Sequence, residues 1–308
     1  KKKVENMINK AINTLVLATV DSITKFKNKF AYYLAIFAMV FGSTFGTINS
    51  AYAIDLTADS AQGANGLVIA SGTDTLAASD DVNIGAFTLT VSEALDLATN
   101  GLDEITGTTG TLTMTLGDAN DTASIESFVM SGAGNLNITN LPAGAGTFTV
   151  TVDGAMTTVG GTITVTGDTN SAVLTTLDLD GAALGGAGAN FVLDETASNG
   201  TALLSLTGSS APTLTGDING AAAGEGALDL SATGTNAIVG AVGNDFSLRL
   251  VDVDSVATFS STVDAVAIDI DNTATFTGDV TATTVTSDGS AKVVTFNGDV
   301  NATTMTIT

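Results

Sequence analysis

The chain of 308 residues carries 32 acidic and 9 basic side chains, a net charge of −23, and has no Cys, His or Trp. Disulfides, Cys or His metal centres, thiol nucleophiles and His-based triads are therefore excluded, and any general base is a carboxylate, a lysine or water. No cluster of residues stands out as a catalytic or cofactor site, so the chain is expected not to be an enzyme.

The charge divides the chain near residue 53. Lys1, Lys2, Lys3, Lys10, Lys25, Lys27 and Lys29 all precede residue 30, whereas residues 54–308 hold 30 acids against Arg249 and Lys292 alone. After the basic stretch 25–29 comes the apolar run 30–41 (FAYYLAIFAMVF), then a small and polar stretch, then Ala51-Tyr52-Ala53. A basic region, a short apolar core and an A-x-A site in that order predict a signal peptide with a short signal helix, cleaved after Ala53. The apolar run is short for a membrane span, which needs about 20 residues, although no charge follows it until Asp55, so an uncleaved N-terminal anchor is the alternative. Residues 1–53 are thus read as a leader and residues 54–308 as the exported segment. A Cys-free chain suits an oxidising compartment. The acidic surface disfavours nucleic acid and anionic lipid, and favours weak binding of cations such as Ca²⁺.

Along the exported segment, Asp80-Asp81 is the first carboxylate pair, and residues 91–98 (VSEALDLA) form the one helix candidate, with Ser92 as N-cap and Asn100-Gly101 as stop. Strict alternation of Thr with apolar residues then predicts strands at 111–116 (TLTMTL), 147–152 (TFTVTV) and 162–166 (TITVT). In the second, Phe148, Val150 and Val152 face one side, while Thr147, Thr149 and Thr151 face the other. Gly-Asp pairs at 117-118, 167-168, 216-217, 278-279 and 298-299 predict turns, with Gly at positive φ and Asp bonding its own nearby backbone. The bulk-free stretches 181–190 (GAALGGAGAN) and 220–226 (GAAAGEG) read as protruding loops. Within the first, 185–193 (GGAGANFVL) nearly matches a calcium-binding nonapeptide, with Asn190 at the Asp position. A single copy without that carboxylate reads instead as a flexible loop.

At the C-terminal end the pattern becomes a repeat. Residues 276–286 (FTGDVTATTVT) return as 296–306 (FNGDVNATTMT), and a weaker copy starts at Phe259, a slightly shorter step before Phe276. Such periods predict stacked coils, each leaning on its neighbours to bury an apolar face. The fold class expected is all-β: a right-handed parallel β-helix, or β-solenoid, following the signal helix. Tandem β-sandwich domains are the alternative, disfavoured by the lack of Trp and Tyr after residue 53.

The leader ending in Ala51-Tyr52-Ala53, the acidic Cys-free segment rich in Ala, Gly and Thr, and the repeat TFTGDVTATTVT at 275–286 resemble the passenger region of large Gram-negative bacterial surface proteins. These are the autotransporter-type or filamentous-haemagglutinin-like adhesins. The resemblance implies a secreted, non-catalytic adhesin or structural stalk at the cell surface or outer membrane, continuing past Thr308. Its partners would be a host or environmental surface, a glycan, or other copies of itself, with the membrane touched through the leader or a C-terminal anchor. A self-assembling surface-layer or filament subunit is the second possibility. A polysaccharide-active β-helix enzyme is the third, because Asp178/Asp180, Asp252/Asp254 and Asp269/Asp271 at i, i+2 would share a strand face and could act as acid and base or share a cation. Stacked outward Thr could bind a flat or regular ligand such as a polysaccharide or mineral surface, but it reads as an exposed β-former, since no regular spacing over many coils is visible.

Overall fold

A computed structural model describes residues 60–61, 67–70, 82–86, 88–92, 102–116, 122–140, 146–167, 173–181, 183–195, 201–208, 211–288 and 292–308. The expected leader and signal helix, Asp80-Asp81 and the turns expected at Gly117-Asp118 and Asp168 lie outside these residues. Thr and the β-branched aliphatics are stiff at χ1 and suit a pleated surface, which is why the alternating segments become strands. Three of them are Thr111–Leu116, Gly146–Val152 and Thr162–Thr166. Among the described residues 24 strands join one parallel sheet wound into a solenoid, and there is no helix.

The coils stack in register, so each interior position repeats as a column. One column runs from Ile105 through Phe128, Met156, Leu184, Leu214 and Ile238 to Phe259, Phe276 and Phe296. At its C-terminal end the rings of Phe259 and Phe276 stack at 4.7 Å and 2° between planes, and those of Phe276 and Phe296 at 5.1 Å and 11°. A second column passes through Val150, Leu177, Leu204, Leu228, Val251 and Ile268. A third joins Leu89, Leu112, Leu136, Ile163, Phe191 and Ile218. Together they form one continuous core of buried side chains, each large apolar one contributing about 1.5–3 kcal/mol.

Coil length drifts, and the cross-section changes with it. The step to the next coil runs from Leu112 to Leu136, lengthens between Ile163 and Phe191, is shortest between Val263 and Val280, and partly recovers between Val280 and Val300. Long coils support three ladders. The third shrinks to single bridges from Ile218 to Val242 to Val263, and Val263 opens a strand of the second ladder. The short coils beyond it keep two ladders.

One expectation of local structure lies mostly outside the described residues and one is corrected. Of the helix expected over 91–98, residues 93–98 lie outside the described residues, while Val91 and the expected N-cap Ser92 close strand Thr88–Ser92, paired on both sides. The loop over 181–190 is mostly strand, Ala183–Asp194, which turns a corner in mid-length. Gly185 and Gly188 take φ of 78° and 73°, and a side chain on Gly186 would run into the Thr158 backbone. Lack of bulk here lets the chain bend without leaving the ladder. Residues 221–226, within the other predicted loop, are indeed a turn between strands.

The Gly-Asp pairs also work differently from the expectation. Gly216-Asp217 lies inside strand Thr213–Gly220, while the pairs at 278 and 298 do separate strands. Gly216 has a φ of 125°, but Gly278 and Gly298 are not at positive φ. Their requirement is close approach: a Cβ on Gly298 would stand 2.5 Å from the carbonyl of Gly278 in the coil before. The aspartates reach across coils. Asp279 Oδ1 accepts the Asp299 N–H at 2.9 Å, and Asp217 Oδ1 the Ala241 N–H at 2.8 Å.

Candidate functional site

The surface over the second core column is acidic. Because side chains alternate along a strand, the residue after each buried aliphatic points outward, and stacking turns these positions into a column: Thr151, Asp178, Ser205, Asp229, Asp252 and Asp269. Two residues further along their coils stand Asp180, Asp254 and Asp271, near enough that the charge of Asp180 acts on Asp178 and those of Asp254 and Asp271 on Asp252. Adjacent strands lie about 4.8 Å apart, which sets like charges close together.

Hydroxyls relieve part of this crowding. Thr207 Oγ1 donates to Asp178 Oδ1 at 2.6 Å, and Ser205 Oγ to Asp229 Oδ2 at 2.9 Å, with Ser231 Oγ at 3.3 Å from the same oxygen. Burial nonetheless pushes the carboxyls of Asp178 and Asp229 up, against the lowering effect of those bonds. Asp252 has no such hydroxyl, and burial, followed by the charges of Asp254, Asp229, Asp269 and Asp271, pushes it up to about 6. Asp271 is raised first by its hydrogen bond with Asp288, then by burial and by the charges of Asp288 and Asp269, with Lys292 acting the other way. Carboxylate oxygens of Asp269, Asp271 and Asp288 lie within 4.8 Å of one another. These three are the residues that could hold a hard divalent cation.

The third ladder presents a different surface. Outward positions of strands Thr111–Leu116, Asn135–Asn140 and Thr162–Thr166 form rows of Thr111, Thr113 and Thr115, then Asn135, Asn137 and Thr139, then Thr162, Thr164 and Thr166. No charged residue occurs in these three strands. One column is tied internally: Asn135 Nδ2 donates to Thr111 Oγ1 at 3.4 Å, and its Oδ1 accepts the Thr162 N–H at 2.9 Å.

The chain has no match among protein-family models, curated proteins or solved structures. What it does is therefore read from these faces.

The remaining candidates disperse. Arg249 is engaged two coils away, its Nε donating to Glu195 Oε1 and Oε2 at 3.3 Å and its Nη2 to Oε1 at 3.3 Å. Asn190, the nonapeptide position, sits at the strand corner and accepts the Asn219 Nδ2–H at 2.9 Å, so its carbonyl serves an interstrand amide contact. Outward Thr, set aside from sequence as an exposed β-former, is gathered by the register into one face. Its signal was present, since Thr alternates in all three strands, but the step from Asn135 back to Thr111 is shorter than the step from Asn135 on to Thr162. No fixed period betrays the alignment.

Proposed function

We propose that the chain is a secreted, non-catalytic protein displayed at the surface of a Gram-negative bacterium, where its solenoid serves as an adhesive or structural stalk of the autotransporter or filamentous-haemagglutinin type. The observation that supports this reading most is the filled interior. Columns of Phe, Leu, Ile and Met run from coil to coil with almost no exposure, so a ligand meets the molecule on its lateral faces. Those faces differ from one another, as suits a rod that interacts along its length. Among the described residues, Arg249 is paired with Glu195 rather than with the acidic column, which leaves the third possibility, an acidic-glycan enzyme, without a cation at the stacked aspartates from Asp178 to Asp252. Ca²⁺ enters as a counter-ion of the acidic face, drawn by field and carboxylate oxygens.

Protease treatment of intact cells that make the protein, followed by peptide mapping, tests the proposal. Release of peptides from 102–308 without lysis is expected. Peptides that appear after lysis alone contradict it.

A further inference from the structure

We propose that the threonine face, in strands Thr111–Leu116, Asn135–Asn140 and Thr162–Thr166, is a docking surface for an ordered, insoluble neutral polysaccharide. The inference rests on the surface-stalk reading and names the partner of one of its faces. Three observations carry it.

The first is charge. The chain bears a net −23, yet these three strands carry none of it, the acid in register with them on the next coil being Asp194, beside Thr166. An anionic polymer is repelled by the molecule as a whole, and a cationic one is drawn to the aspartate column instead. The occupant that gains from an uncharged face is itself uncharged.

The second is unused hydrogen-bonding capacity. The hydroxyls of Thr113, Thr115, Thr139, Thr164 and Thr166 and the amide of Asn137 make no side-chain hydrogen bond within the described structure. The acidic face contrasts: there Thr207, Ser205 and Ser231 are all engaged with carboxylates. Asn137 stands at the centre, in register with Thr113 on one side and Thr164 on the other. Its amide offers two donors and an acceptor, a set that matches two neighbouring hydroxyls of one sugar ring. A central amide also interrupts the threonine lattice, which favours a sugar over ordered water alone.

The third is shape and stiffness. The rows are about 4.8 Å apart and span roughly 10 Å by 13 Å between outermost Cα atoms. Threonine is stiff at χ1, so little side-chain freedom is lost on contact. A face this small holds a single soluble sugar weakly. Against a solid that repeats its hydroxyls in a plane, many copies bind together and avidity makes up the difference.

The test is depletion of the purified full chain from solution by microcrystalline cellulose and by chitin, with a pectate gel and an ice surface as comparison arms. Binding to at least one neutral solid is expected, with no excess on pectate. Asn137→Asp, nearly isosteric, puts a charge at the centre of the face and is expected to weaken binding at least tenfold. Thr113→Lys with Thr164→Lys is expected to do the same, while Asp252→Asn on the acidic face leaves binding unchanged. Circular dichroism and the urea midpoint confirm that each variant is folded. Failure to bind either neutral solid overturns the inference, as does undiminished binding by folded Asn137→Asp. Retention on ice without polysaccharide binding also overturns it and assigns the face to ordered water. A protein displayed on cells that binds neither solid sinks this inference alone. A protein that binds in solution but stays inside the cell sinks the display reading alone.

Discussion

The acidic face and the threonine face are built on the same plan and behave as different materials. Beneath each lies an aliphatic column, with Leu204 under one and Leu136 under the other, both fully buried. Outside, the same parallel register that aligns Thr113 with Asn137 and Thr164 aligns Asp229 with Asp252 and Asp269. Stacking multiplies whatever a column holds. Neutral side chains become a surface with free donors and acceptors, whereas carboxylates become a line of like charge that costs stability.

The core is the place to break this comparison, because there the two faces ought not to differ. Leu204→Ala and Leu136→Ala are each expected to cost about 3 kcal/mol, the usual loss for a buried Leu, read as a fall in the urea midpoint. If one of them is silent, its column is not interior. A smaller effect of opposite sign sharpens the contrast. Asp252→Asn removes a half-exposed charge crowded by Asp229, Asp254, Asp269 and Asp271, and is expected to stabilise by about 1 kcal/mol at pH 7.5 after allowance for solvent screening. Adding CaCl₂ ought to produce part of the same gain in wild type, beyond NaCl of equal ionic strength, and less in Asp269→Asn. Thermal melting resolves both comparisons. The smallest change belongs to the other face: Thr164→Val, outward and unpaired, is expected to stay within about 0.5 kcal/mol of wild type.

Much of the architecture could be read from residues alone. The repeat beginning at Phe276 and Phe296, with its weaker copy at Phe259, lands in the observed register as stacked rings. Phe148, Val150 and Val152 are buried as their alternation predicts. Where local composition and structure part, neighbouring coils decide. Residues 181–190 lack bulk because a strand must bend against Thr158 there, and Gly298 is glycine because Gly278 lies under it. Register across coils as unequal as those from Ile163 to Phe191 and from Val263 to Val280 is a long-range property, so the narrowing from three ladders to two left no local mark. The candidate faces were half legible. The i, i+2 aspartates announced neighbouring charge, but their stacking between coils, and the alignment of the threonine rows, depend on coil lengths that follow no constant period.

The most direct measurement is the stability of the full chain as a function of pH between 7.5 and 4.5. In the folded protein Asp252 is raised to about 6, and Asp178, Asp229, Asp264 and Asp271 are raised above their ordinary value of 3.8. The folded state therefore holds these protons more tightly than the unfolded chain, and stability is gained as pH falls through 6 toward 4. A urea midpoint that rises on acidification through this window, with the rise reduced in Asp252→Asn, is the result expected of stacked carboxylates. A midpoint that falls steadily over the same range would contradict the register on which the acidic and threonine faces both depend.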